Sequence, residues 1–537
     1  MSGRIIGISG PTVSVDLPGL RLYDRVQVGH ARLLGEVVRL EHRRATVQVY
    51  ENTRGLGLGE PVTGVGLPLT VRLGPALLNR MFDGLQRNLD WLYRQEGDFI
   101  HAGKEPPPLE IDAPLEFTPL KQPGDFVATG EDLGTIQEGP FKHFVRAAVS
   151  GTVQTITTGP FDLHAPVATL EDGQRCFCFE DWPVRKPRPY RRKLPLGEPL
   201  VTGQRCVDFL FPLARGGTAI FPGGFGTGKT ILEQTIAKFA AIDIVIYVGC
   251  GERGNEMAEM LEEFTALDDP WSGKPLMART IVVVNTSNMP VAAREASIYT
   301  AVTMGEYYRD MGYHVLLLAD SLSRWAEALR EISSALEEMP GEEGYPTYLA
   351  SRLAEFFARA GAVETLSGKI GSLSMILSIS PPGGDFTEPV TQACLRTTGS
   401  FLMLDTALAH RRHFPAINWF QSFSLYAEVS AHFNETTSPR WDAVKQECRQ
   451  LLQKEEGLRE VAEIVGTEGL QDGDRLLMKV AETIRQKFLS QNAYSEDAFS
   501  TPEQTFEKIS GMLEFYRCAG EKLKQGKFLD EILKDQG

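Results

Sequence analysis

Residues 223–230 read Gly-Gly-Phe-Gly-Thr-Gly-Lys-Thr and match G-x-x-x-x-G-K-[ST] in full. An apolar run (Ala219, Ile220, Phe221) precedes them and a helical stretch follows, the strand–loop–helix context that makes this pattern a phosphate site. Glycines 223, 224, 226 and 228 let successive backbone N–H groups turn inward toward phosphate oxygens. The helix that follows adds its positive dipole end. Lys229 suits the β- and γ-phosphates, and the Thr230 hydroxyl suits Mg²⁺. Residues 223–230, with Phe225 and Thr227 among them, are therefore expected to bind a nucleoside triphosphate together with Mg²⁺.

Two carboxylates complete the chemistry. Asp320 ends the apolar run Val315-Leu-Leu-Leu-Ala, the Walker-B arrangement, and would hold the Mg²⁺ water shell beside Thr230. Glu252 follows the first strand-like run after the phosphate loop, where a carboxylate can orient the attacking water. Arg253 beside it would neutralise charge in the transition state. An exposed Glu-Arg turn explains the same spacing.

At 537 residues the chain exceeds one core and should form several domains. Its net charge of −15 argues against a general nucleic-acid or membrane-surface binder. Seven scattered cysteines suit a reducing compartment, and Cys176-Phe-Cys178 is too tight for a zinc hook. Neither a signal-peptide core nor an apolar run long enough to span a membrane is visible. Any membrane role must then come through partner subunits.

In chain order, residues 1–72 read as a β-barrel of short strands at 4–8, 12–15, 25–28, 34–40 and 45–49, with a charged hairpin tip at 41–44. Residues 73–110 carry an amphipathic helical stretch at 77–89, interrupted near Gly84, and a Pro-rich linker. Residues 111–185 form a second β-rich unit, followed by a basic, Pro-rich connector at 183–195 expected to be solvated. Residues 186–420 alternate strands and helices, among them a long helix expected at 346–360, which predicts a parallel sheet with helices on both faces. From 421 to 537 the pattern is helical throughout, with helices expected at 440–453, 456–465, 473–489 and 502–523.

Several longer blocks carry a family resemblance. Val248-Gly-Cys-Gly-Glu-Arg-Gly-Asn-Glu-Met-Ala-Glu259, Ala319-Asp-Ser-Leu-Ser-Arg-Trp-Ala-Glu-Ala-Leu-Arg-Glu-Ile332, Glu338-Met-Pro-Gly-Glu-Glu-Gly-Tyr-Pro346 and Ser380-Pro-Pro-Gly-Gly-Asp-Phe-Thr-Glu-Pro-Val390 are four of them. Shorter ones include Thr202-Gly-Gln-Arg205, Arg411-Arg-His-Phe-Pro415 and Phe488-Leu-Ser-Gln-Asn-Ala-Tyr494. Together they resemble the catalytic A (alpha) subunit of V/A-type rotary ATPases over essentially the whole chain.

The resemblance implies a multidomain α/β fold: N-terminal β-barrel, inserted β-rich bulge domain, RecA-like P-loop domain and C-terminal helical bundle. It implies that the nucleotide is ATP or ADP, Glu252 the catalytic glutamate, Asp320 the Walker-B aspartate, and Phe414 and Tyr494 the aromatic residues against adenine. It also implies a B-type subunit in an alternating hexamer supplying an arginine finger, central and peripheral stalks, and a membrane sector moving H⁺ or Na⁺. The expected place is the cytoplasmic face of a prokaryotic plasma membrane, with no nucleic-acid partner. Leu322, Asn88 and Gly224 depart from the family pattern, and Thr227 stands where eukaryotic relatives carry a cysteine. A noncatalytic subunit of the same machine should lack an intact phosphate loop and Glu252. A nucleic-acid motor should carry basic loops, and a protein-export ATPase should lack the bulge. A pure assembly protein should lose Lys229 or Glu252.

Overall fold

The computed structural model describes residues 2–42, 44–111 and 114–534, so Arg43 of the expected hairpin tip lies outside the described residues. The chain divides into two compact units. One comprises residues 1–195, 242–380 and 385–397; the other comprises 196–241, 381–384 and 398–537.

The first unit opens with a closed barrel of six strands, Ser2–Ser9, Thr12–Asp16, Asp24–Val28, Leu33–Glu41, Arg44–Val49 and Pro61–Pro68. Alternating side chains fill it: Val13, Val15, Val26, Val28, Val37, Val47, Val49 and Val62 are all buried. The sixth strand gave no signal because Gly64 and Gly66 interrupt its apolar pattern. The bulge consists of two four-stranded antiparallel sheets spanning residues 115–176. Phe117 and Phe161 meet edge to face within it, centroids 6.0 Å apart.

The same unit holds a parallel sheet in the order Ile370–Ile379, His314–Asp320, Ile244–Cys250, Thr280–Asn285 and Arg80–Phe82. Its central strands are continuous apolar runs, as parallel strands covered on both faces require. The helix Val291–Arg309 is buried along almost its whole length.

Five expectations need correction. No helix forms over 77–89. Residues Arg80–Phe82 are a strand alongside Thr280–Asn285, and the helix begins only at Leu89. A Cβ on Gly84 would lie 2.2 Å from the carbonyl oxygen of Ala293, so the chain can pass that helix only as glycine. Asn88 is the N-cap, accepting from the Trp91 N–H at 3.0 Å.

The basic connector is solvated only in part: Lys186, Arg191, Arg192 and Lys193 are exposed, but Arg185 and Arg188 are not. Arg188 is buried and bonds Asp310 (2.7 Å) and Glu180 (2.6 Å), while Arg185 pairs with Glu295 (2.8 Å) and Glu36 (3.2 Å). Arg185 therefore ties the barrel to the helix Val291–Arg309, and Arg188 ties the strand Glu180–Pro183 to the end of that helix.

The expected long helix at 346–360 is confined to Leu349–Phe357, and Gly361–Glu364 turns into a strand antiparallel to Ile370–Ile379. The segments 440–453 and 456–465 form one helix, Trp441–Val465, with Gly457 tolerated inside it.

The second unit contains the strand Thr218–Pro222, parallel to Ser400–Phe401, which pairs antiparallel with Phe423–Ser424. That last strand lies within the stretch expected to be helical. The helices Ala427–Thr436, Trp441–Val465, Asp472–Ile484 and Pro502–Lys524 follow. Trp441 is their pivot, stacked between Phe433 (4.6 Å) and Phe506 (5.9 Å). A full capping box at Thr501 and Gln504 starts the last of these four. All seven cysteines are free, and only Cys518 is exposed.

Candidate functional site

The site residues fall into two groups, one in each unit. In the second unit the strand Thr218–Pro222 delivers the chain into the phosphate loop, and the helix Lys229–Phe239 leaves it. Gly226 (φ +77°) and Gly228 (φ +81°) occupy the left-handed region, which the loop's turn demands. Gly223 has no room for a side chain, since a Cβ there would lie 2.7 Å from both Leu404 Cβ and Thr227 Oγ1. Thr227 Oγ1 donates to the Gly224 carbonyl at 2.8 Å, pinning the loop internally. Lys229 Nζ donates to the carbonyls of Gly223 (2.7 Å) and Gly224 (3.0 Å), so its ammonium lies along the loop. Phe225 projects outward, 88% exposed.

The aromatic residues belong to the same unit. Two ring carbons of Phe414 lie 3.3 Å from where a Cβ on Gly228 would sit, which places this ring against the end of the loop. Tyr494 is exposed on the segment after the Arg485–Leu489 turn. The Gln491 N–H donates to the Phe414 carbonyl at 2.7 Å and ties that segment to Phe414.

In the first unit, Ile244–Cys250 and His314–Asp320 are adjacent parallel strands with Gly249 opposite Asp320. Glu252 and Asp320 therefore leave the sheet at the same edge, the C-terminal one. Asp320 is buried and accepts from Ser378 Oγ at 2.6 Å. Burial raises the Glu252 carboxyl above its ordinary range, and the charge of Asp320 adds to this. The Ser321 hydroxyl and Arg324 act in the opposite direction. Arg324 holds Glu327 with a two-pronged contact at 2.8 and 2.9 Å. Arg253 is exposed and lies 3.4 Å from Glu256. A carboxylate whose proton affinity is raised at a strand end, beside a second carboxylate, has the character of a general base.

Three of the relevant residues carry no signal of their role in the sequence. Arg205 and Gln491 sit inside blocks that mark the family, but only the fold shows them touching. Ser378 lies in an apolar strand where nothing marks a serine as a partner for Asp320.

Comparison with known proteins supplies the remaining facts. Residues 203–424 match the ATP synthase alpha/beta family nucleotide-binding domain, and residues 430–533 match the C-terminal domain of V and A type ATP synthase. Residues 5–66 match the family's β-barrel domain and 106–185 its barrel-sandwich domain. The V-type ATP synthase alpha chain of Anaeromyxobacter dehalogenans (strain 2CP-C) is 52% identical over 539 residues, covering 99% of this chain and 93% of that one. The chain belongs to the alpha-chain family of V/A-type ATP synthases. The corresponding A-type ATP synthase chain of Methanopyrus kandleri is 50% identical over 547 residues, covering 99% and 92%. The assembled ATPase EscN of an enteropathogenic E. coli type III secretion system shares the fold, with a TM-score of 0.69 at 22% identity over 95% of this chain and 99% of that one. Members of the V/A-type ATP synthase family work within a multisubunit complex. Among the described residues no helix is long and apolar enough to cross a membrane.

Proposed function

We propose that this chain is the catalytic subunit of a V/A-type rotary ATPase, turning over ATP at the residues above while partner subunits carry H⁺ or Na⁺ across the membrane. The observation that supports it most is that the chain has both an intact phosphate loop and Glu252, a half-buried carboxylate at a strand end. A subunit that only binds nucleotide has no need of the second.

In this reading the loop N–H groups and Lys229 cradle the β- and γ-phosphates and neutralise charge as it develops. Phe414 and Tyr494 take the adenine, offering flat apolar faces to the base. Glu252, ionised, accepts a hydrogen bond from the attacking water and aligns it with the γ-phosphorus. The hydroxyl of Thr230 and the carboxylate of Asp320, held by Ser378, are oxygen donors of the kind a hard divalent cation takes. Mg²⁺ bound there would supply charge neutralisation to the phosphates.

A B-type subunit, alternating with this one in a hexamer, brings an arginine to the γ-phosphate. Central and peripheral stalks link the ring to the membrane sector, on the cytoplasmic face of a prokaryotic plasma membrane. Glu252→Gln tests the assignment. Mg-ATP binding should survive within a few-fold, while hydrolysis by the assembled complex falls by ~10²–10⁴. Hydrolysis within a factor of about two of wild type would make Glu252 a bystander, since general-base catalysis is worth far more.

A further inference from the structure

One buried guanidinium holds the segment that carries Tyr494. Arg205 is 2% exposed, and its side-chain nitrogens are spent on residues 488–497. Nε donates to the Phe488 carbonyl at 2.9 Å and Nη2 to the Ser490 carbonyl at 2.8 Å. Nη1 and Nη2 grip Asp497 through Oδ1 (2.5 Å) and Oδ2 (2.8 Å). Both ends of the segment are thus fixed to one planar group, a geometry lysine cannot reproduce.

The middle is tied as well. The Arg205 N–H donates to Gln491 Oε1 at 2.8 Å, and Gln491 Nε2 donates to the Gly203 carbonyl at 2.8 Å. Gln491 N–H and Ser490 Oγ both donate to the Phe414 carbonyl, at 2.7 and 3.3 Å. Inside this frame Asn492 N–H donates to Asp497 Oδ2 (3.4 Å), and Tyr494 N–H donates to Asn492 Oδ1 (3.0 Å). The backbone of Tyr494 is therefore pinned while the residue as a whole stays 79% exposed. A buried guanidinium is costly to desolvate, and here every acceptor that offsets the cost lies on this one segment or its Asp497.

We infer that Arg205 is a positioning residue for the base pocket: by fixing residues 488–497 and, through Gln491, Phe414, it sets where the two aromatic rings meet a purine. The inference rests on the reading of Phe414 and Tyr494 as the adenine holders. Its consequence is selective. Loosening the frame weakens recognition of the base and leaves the triphosphate, held by the phosphate loop, untouched.

The test compares MgATP with magnesium inorganic tripolyphosphate, which has phosphates and no base, binding to the full chain by calorimetry. The main variant is Asp497→Asn, because Asp497 is 40% exposed and the amide preserves its shape. Arg205→Lys is the second variant, removing the fork while keeping the charge. ATP should bind at least about fivefold more weakly to each variant, the scale of one weakened charge-assisted contact, with tripolyphosphate within about twofold of wild type.

Phe414→Ala separates the two layers. If it leaves the ratio of ATP to tripolyphosphate affinity at the wild-type value, the base-pocket reading falls and the inference falls with it. If Phe414→Ala collapses that ratio and Asp497→Asn does not, the pocket stands and the role of Arg205 is overturned. Equal weakening of both ligands, or a lowered unfolding midpoint with the ratio unchanged, also overturns it, leaving only an interhelical brace.

Discussion

The general-base role proposed for Glu252 follows from where its strand ends. Burial and the neighbouring Asp320 both raise its proton affinity, with Ser321 and Arg324 opposing them. A carboxyl whose folded pKa lies above its unfolded one adds stability that is fully present below the ordinary carboxylate range. That stability is lost as pH rises through the raised value. At neutral pH the ionised Glu252 is therefore a cost to the fold, one that the proposed catalytic role would explain. Glu252→Gln should raise the thermal unfolding midpoint of the full chain at about pH 8, with a smaller gain at about pH 5. Scanning calorimetry at both values decides it, and an equal gain at both would remove burial strain on the charge as the explanation. The functional types at this scale were legible: glycines, Lys229, Thr230, Glu252 and Asp320 announce themselves by spacing and by their strand contexts. Ser378 and Asp497 were not, because each acts on a residue far away in the sequence, Ser378 on Asp320 and Asp497 on Arg205.

Secondary elements were legible where the pattern has one cause. The run from Thr218 to Phe239 could only be strand, loop and helix, since glycines at left-handed positions leave the backbone no alternative. The stretch 77–89 misleads for the opposite reason. Leu77, Leu78, Phe82 and Gly84 are buried by neighbours from elsewhere, so apolar spacing there reports tertiary packing and not a helical face. Asp83 Oδ1 accepts from the N–H groups of Leu85 and Arg87 at 2.9 and 2.8 Å, replacing helical bonds with a local turn. Gly84 lets this turn touch the helix Val291–Arg309, where Thr300 Oγ1 donates to its carbonyl at 2.7 Å. Gly84→Ala should destabilise the first unit by about 1–3 kcal/mol, the usual cost of overpacking. A lowered midpoint for the transition that includes this unit would confirm it. An unchanged midpoint would show that the helix yields, and that the glycine is not required by contact.

At the scale of the whole molecule, the arginines nearest Glu252 are all committed. Arg324 is held by Glu327, Arg253 lies beside Glu256, and Arg294 Nη2 donates to the Ser287 carbonyl at 2.9 Å. Swinging one of them to a γ-phosphate would break an ion pair or a backbone contact at the moment of reaction. A preorganised site avoids that reorganisation, because fixed positive charge is what lowers the barrier to phosphoryl transfer. The barrel, the bulge and the helices after Phe423 bring no catalytic group of their own among those identified, in keeping with the proposal that a neighbouring subunit delivers a cation. The full chain alone should accordingly bind MgATP yet hydrolyse it slowly, and adding the B-type subunit should raise kcat by ~10³ or more, the contribution of an arginine supplied in trans. Phosphate release at saturating ATP, measured on the chain kept monomeric as judged by light scattering and then on the reconstituted ring, makes the comparison. Turnover by the monomer equal to that of the ring would mean that one of Arg253, Arg294 or Arg324 leaves its partner and acts in cis, and single glutamine substitutions at those three positions would then identify it.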